Sequence, residues 1–232
     1  MCGRYTYYSS AEVLKEFDIL PSDNPQTRLI LETPDNYNVS PGNEMPVIIR
    51  GAQKHEIEFM IWGIVPAWSK SDKTALKLIN ARREGLLDKP MWKRLIKTKR
   101  CIVPARGFYE WKSVANKKLP YYITPIVGNF LSFAGLWDEW KSENGNTLRT
   151  YTIITTTPNK EMKKIHDRMP AILNKQQMDL WLEPSALTQS QLDDLLTPLP
   201  DSSLAIAMVS ADVNDARNNS KQLIYPLNSK SK

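Results

Sequence analysis

The sequence predicts an α+β fold: a largely antiparallel, barrel-like β-sheet with short helices at its periphery, forming one domain. Three observations carry that expectation. Sixteen prolines are scattered along the 232 residues, which argues against a helical bundle. The middle of the chain is a succession of short runs rich in β-branched and aromatic residues, broken by turn formers. The helical patterns are all short, and no internal repeat links them. The domain is expected over residues 1–227, with 228–232 ("NSKSK") as a loose tail.

The elements follow in order. Residues 9–12 (Ser-Ser-Ala-Glu) read as a capping box ahead of Val13, Leu14 and Phe17, so a short helix is expected there. "PVIIR" (46–50) and "EIEFMIW" (56–62) read as a hairpin with Ile57, Phe59 and Ile61 on one face. His55 falls in its turn and is expected to be exposed and inert. "KPMWKRLIKTKR" (89–100) sets Trp92, Leu95 and Ile96 at helical spacing among cations. Strands are then expected in "RCIVPA", "GFYEWK", "PYYITPIV", "FLSFAGLW" and "RTYTIITT". Short helices should follow at 158–165, 175–182 and 188–196. "SLAIAMVS" (203–210) reads as a final, buried strand.

Composition narrows the function. No apolar run approaches the roughly 20 residues needed to cross a bilayer. The N-terminus lacks the basic-then-apolar layout of a signal peptide. A cytoplasmic protein with no membrane partner is expected. Cys2 and Cys101 form no C-x-x-C pair, and the only histidines are His55 and His166, so no metal centre is indicated. The formal charge is +6. From Lys89 to Lys118 ten Lys or Arg stand against one acid, Glu110, with Trp92, Phe108, Tyr109 and Trp111 among them. Cations that neutralise phosphates and aromatics that stack on bases suit single-stranded nucleic acid. A solvated basic face over core aromatics would give the same pattern, and composition leaves both open.

The opening "MCGRY" carries the chemistry. Removal of Met1 would leave Cys2 with a free α-amine and a thiol on adjacent carbons. An α-amine titrates near 7.7–8, so part of it is neutral and nucleophilic at physiological pH. The amine condenses with an aldehyde to a Schiff base. The thiol then closes on the imine carbon to a five-membered thiazolidine, helped by the effective molarity of an intramolecular step. Arg4, two residues on, is a cation that would favour the thiolate. Elsewhere, polar groups stand in apolar company: Asn80 in "LINAR", Glu110 in "GFYEWK", His166 and Arg168 in "HDRMP". A carboxylate among bulky residues and an imidazole are fitting proton carriers near neutrality. A turn cap, a strand ion pair and a helix cap are the structural roles they could hold instead.

The ordered set "MCGRY", "NVSPG" (38–42), "WGIVPAW" (62–68), "NAR" (80–82), "RCIVPARGFYEW" (100–111), "FAGLWDEW" (133–140), "TIITTTPN" (152–159), "HDRMPAIL" (166–173) and "VSADVND" (209–215) resembles the SRAP family. These are the abasic-site-processing proteins first named SOS-response-associated peptidases. The resemblance runs from residue 2 to about 227. It implies single-stranded DNA containing abasic sites as the partner, at the nucleoid. It also implies a covalent thiazolidine link between Cys2 and the ring-opened sugar, with lyase-type Schiff-base chemistry and an autopeptidase activity as its enzymatic side. Cys2 matches the family's nucleophile, Asn80 the amide that positions sugar and N-terminus, Glu110 the proton-moving carboxylate, and His166 the imidazole at the sugar hydroxyl. Arg4, Arg82 and Arg168 match phosphate-holding positions, and Trp68 a stacking segment. Trp62 and Cys101 are expected to be structural. An arginine common after "NAR" has no clear counterpart. Lys89 is the candidate replacement, a point charge in place of a fork. The resemblance calls for no cofactor and no metal, and a monomer is expected.

Three other readings stay open on the residues alone. An N-terminal-nucleophile glutamine amidotransferase also begins Met-Cys-Gly, but the Gly/Asn/Asp-rich glutamine loops it needs are not found. A cysteine peptidase could use Cys2, His166 and Glu110. A non-covalent reader of modified or single-stranded DNA could use the basic aromatic stretch without Cys2.

Overall fold

Strand β1 (Arg4–Tyr7) links the two halves of the architecture, because one of its faces looks into each. The computed structural model describes residues 2–8, 10–19, 25–51, 55–69 and 78–227. The tail expected at 228–232 and Ser9 of the expected capping box lie outside them.

A closed barrel forms the larger half. Its staves are β3 (Glu44–Arg50), β4 (His55–Trp62), β6 (Arg100–Ala105), β9 (Leu131–Lys141) and β10 (Thr147–Thr156). β10 closes the ring by pairing antiparallel with β9 and parallel with β4. The short β5 (Asn80–Arg82) continues along β10 where β4 leaves off, with Asn80 opposite Ile153. β11 (Met169–Pro170) extends β10, and β12 (Ile172–Leu173) extends β9. The second sheet has the order β13 (Leu204–Met208), β8 (Lys117–Pro125), β7 (Gly107–Val114), β1, β2 (Asn36–Val39). The α+β, largely antiparallel barrel expected from sequence is therefore what the chain forms.

Helices α1 (Ser10–Glu16), α2 (Pro25–Glu32), α3 (Pro90–Thr98), α4 (Lys160–Lys163), α5 (Lys175–Leu182) and α6 (Gln189–Leu195) lie around this framework. α1 buries Val13, Leu14 and Phe17, and α3 buries Trp92, Leu95 and Ile96, as their spacing requires. α5 and α6 start at full capping boxes, Asn174 with Gln177 and Thr188 with Gln191. α2 starts at Pro25, directly after Asn24 in the sequence, a start signal the expected elements did not include.

Burial differs from a simple alternation in places. β6 is buried at all six positions, since helices cover the outside of the barrel there. β4 buries Ile57 on one face but Met60 and Trp62 on the other, because α2 packs against it from outside. Ile57, Phe59 and Ile61 share a face of the hairpin as expected, although only Ile57 of the three is fully buried. The expectation of an exposed His55 in the turn is corrected: it opens β4 with a side chain only 13% exposed, its Nε2 3.4 Å from Asp179 Oδ1. β13 is an edge strand, so Ala205 and Met208 are exposed although apolar.

The basic stretch at 89–118 also divides. Arg100 is buried and donates to the carbonyls of Ile96, Trp181, Glu183 and Ser185, groups that the ends of α3 and α5 leave without helical partners. Arg106 is buried against the Phe130 ring and bonds Glu12 at 2.6 Å. Arg94 pairs with Asp138, and Lys99 with Glu139. Trp92, Phe108 and Tyr109 are core residues. Much of this stretch is therefore scaffold rather than a continuous nucleic-acid face. No helix among the described residues is long and apolar enough to cross a membrane.

Candidate active site

The site grows from the start of β1. Its antiparallel register with β7 sets Arg4 opposite Tyr109 and Tyr5 opposite Phe108, so residues 2 and 3 run alongside Glu110 and Trp111. Tyr5 turns inward, edge-on to Trp62 (ring centroids 5.2 Å apart) and Phe133 (6.2 Å), and its hydroxyl lies 2.7 Å from that of Tyr151. Trp62 is fully buried, stacks on Tyr151 and donates to Ile79 O, so it is structural, as is the buried Cys101.

Cys2 is completely buried, its thiol pointing at Arg4 O (3.7 Å). Burial, with the Glu110 charge adding to it, pushes the thiol well above the ordinary cysteine range. The expectation that Arg4 would favour the thiolate is overturned. Desolvation dominates at Cys2, and the Arg4 guanidinium is turned away to Asn38 Oδ1 (2.8 Å) and the carbonyls of Val213 (2.9 Å) and Asn214 (3.4 Å). Asn38, buried in β2, also donates to the carbonyls of Asp215 (3.0 Å) and Asn218 (2.9 Å). Arg4 and Asn38 thus fasten residues 213–218 beside the site.

Asn80 reaches Cys2 from the barrel. Its Nδ2 donates to the Cys2 carbonyl at 2.8 Å, and its buried Oδ1 accepts no hydrogen bond among the described residues. Glu110 is 2% exposed, its Oε2 accepting from the Trp111 amide at 3.4 Å. His166 follows the short α4, where its amide bonds Met162 O. Its Nδ1 lies 3.0 Å from the Arg168 amide and 2.9 Å from Asp167 Oδ1. A neutral Nδ1 accepts from the amide, and a protonated one donates to Asp167, so this nitrogen has a partner in either state.

Glu110 and His166 line a cleft of about 480 Å³. Gly3, Arg4, Trp111, Ser113, Lys118 and Asn214 complete its lining, and Cys2 adjoins it through Gly3. The sequence marks Trp111 and Lys118 only as members of the basic aromatic stretch, and does not mark Asn214 as a site residue. Asn214 stands inside "VSADVND", and its Oδ1 accepts from the Trp111 indole at 2.7 Å.

The remaining expected DNA contacts are placed as follows. Trp68 is 78% exposed, outside the cleft lining. Arg82 and Lys89 are exposed, on β5 and just ahead of α3. Arg168 is nearly buried, and its fork is closed on Glu84 (2.7 and 3.0 Å) and Thr155 O (2.5 Å). Partial burial raises the Glu84 carboxyl, but the Arg168 hydrogen bond and charge outweigh that and leave it below its ordinary value. Arg83, beside Arg82, is held by the carbonyls of Asp193 and Leu196. Among the described residues no group of three or more His, Cys, Asp or Glu side chains is arranged to hold a metal ion.

Comparison with known proteins gives one consistent answer. The chain is 39% identical over 229 residues to the abasic site processing protein YoqW of Bacillus subtilis, covering 97% of this chain and 99% of that one. It is 34% identical over 218 residues to the abasic site processing protein HMCES of Xenopus tropicalis, covering 81% of this chain and 64% of HMCES. A crystal structure of a protein from Bacteroides thetaiotaomicron superposes with a TM-score of 0.84 at 26% identity, over 97% of this chain and all of the other. The family model for SOS response associated peptidase (SRAP) matches residues 1–216, and the chain belongs to that family.

Proposed function

We propose that this protein processes abasic sites by binding single-stranded DNA and linking Cys2 covalently to the ring-opened sugar after removal of Met1. The observation that carries the reading is that Glu110 and His166 line one cleft together with Gly3, the neighbour of Cys2, whose carbonyl Asn80 holds. The names of the relatives supply the substrate class.

The steps balance as follows. The Cys2 α-amine adds to the C1′ aldehyde, and the carbinolamine loses water to give an imine. The thiol sulfur then bonds C1′ while its proton passes to the nitrogen, closing a ring of S, C1′, N, Cα and Cβ. The net change is loss of one water. Glu110 is the carboxylate placed to carry protons between these atoms, and His166 the imidazole at the sugar's hydroxyl side. Asn80 holds the Cys2 carbonyl, which fixes the direction of the amine and thiol.

The test is a denaturing gel of untagged protein, with Met1 removal verified by mass spectrometry, and a single-stranded oligonucleotide bearing one abasic site. A shifted band that survives heat and detergent, and is absent with Cys2→Ala, is expected. No such band from correctly processed protein would sink the mechanism. If Cys2→Ser keeps both DNA affinity and biological output, the protein is a non-covalent reader.

A further inference from the structure

We infer that Lys118 is a phosphate-binding residue that seats a backbone phosphate next to the abasic nucleotide. This rests on the DNA reading above and adds a residue to it. β7 and β8 form a hairpin in which Ser113 pairs with Lys118 and Trp111 with Pro120. Residues directly opposite share a face, so Trp111, Ser113 and Lys118 line one side of the hairpin, and all three line the cleft. Lys117, paired with Val114, belongs to the other face.

The cations nearest the chemistry have other engagements. The Arg4 fork is on Asn38 and two carbonyls, and the Arg168 fork is on Glu84. Lys118 is exposed, and no carboxylate pairs with it among the described residues. Its ammonium is the cleft-lining charge left available to an anion. Arg4 is level with Tyr109, so the register carries Cys2 to the level of Trp111, and Ser113, level with Lys118, lies two residues further along β7. At roughly 3.3 Å per residue this is about 7 Å along the strand, which sets Lys118 over a neighbouring phosphate and not over the reacting sugar.

The experiment measures affinity for single-stranded oligonucleotides with and without an abasic site across a salt series, alongside the crosslinking rate at saturating protein. Loss of one single-strand phosphate contact lowers the log–log salt slope by about 0.7, equivalent to about fivefold weaker binding at 0.1 M salt. Lys118→Ala should show that change, Lys118→Arg should restore it, and Lys117→Ala should stay near wild type. The saturated crosslinking rate should be the same in all three. An unchanged slope in Lys118→Ala, an equal loss in Lys117→Ala, or a slower saturated rate would each overturn the inference. Wild-type protein that neither binds nor crosslinks would instead overturn the DNA reading beneath it.

Discussion

Burial of Cys2 sets the protonation state from which chemistry at its sulfur must start. With the thiol pushed above its ordinary range, almost none is thiolate near neutrality. Iodoacetamide should therefore alkylate Cys2 in the folded protein far more slowly than a free cysteine at pH 7.5, and denaturant should abolish the difference. Peptide mapping by mass spectrometry checks this. Fast labelling of the native protein would mean that Cys2 opens readily to solvent. Asn80 acts one step back. Removing its bond to the Cys2 carbonyl costs about 1 kcal/mol, so Asn80→Ala should slow single-turnover crosslinking about fivefold while DNA affinity changes little. A drop confined to affinity would place Asn80 in binding instead. Glu110→Gln should likewise slow the covalent step and spare binding, whereas loss of both together would mark Glu110 as structural.

At the scale of elements, the sequence exposes what is local. The strand runs of β6 to β10 and the helices α1, α3, α5 and α6 each carry their pattern within a few residues, and their expected positions lie within a few residues of those observed. Barrel closure is not local: β10 meets β4 through Thr150 and Ile61, and nothing near either residue announces the other. The site divides in the same way. Cys2 stands out by its place directly after Met1, and Asn80, Glu110 and His166 as polar residues in apolar company. The true partners of Arg4 lie 34 and 209 residues away, so its structural role is hidden. Two glycines show how tightly the elements meet. A Cβ on Gly107 would lie 2.6 Å from Ile123 O, and one on Gly135 would lie 2.8 Å from Cys101 Sγ and 3.0 Å from Thr152 O. Gly107→Ala must push β8 away from β7, next to β1. It should destabilise by about 1–3 kcal/mol, read as a drop of several degrees in Tm. An unchanged Tm would show that the β7–β8 pair yields without strain.

At the scale of the whole molecule, a set of buried weak acids makes the fold sensitive to alkali. Burial raises the thiols of Cys2 and Cys101 and the phenols of Tyr5, Tyr109, Tyr122 and Tyr151 above their ordinary values. Each group holds its proton more tightly folded than unfolded. The stability this confers is complete below the unfolded values, about 8.5 for Cys and 10 for Tyr, and is lost as pH rises beyond them. Tm should therefore fall steadily above about pH 9. Replacing Tyr5 and Tyr151 together with Phe should flatten that decline by removing two of the acids. A Tm flat to pH 11 would contradict the burial-driven shifts.

β1 has one further property, which concerns spacing. Its two faces are held by different partners: Tyr5 by Trp62, Phe133 and Tyr151, and Arg4 by Asn38 and Val213. A strand fixed on both sides cannot slide to absorb a change in length, because a slip of one residue exchanges its faces. One residue added between Cys2 and Arg4 would carry the thiol about 3.3 Å from Asn80 and Glu110. The interval between nucleophile and strand is thus under stricter control than the identity of the residue that fills it. Deletion of Gly3, or a second glycine beside it, should silence the site in a protein that still folds.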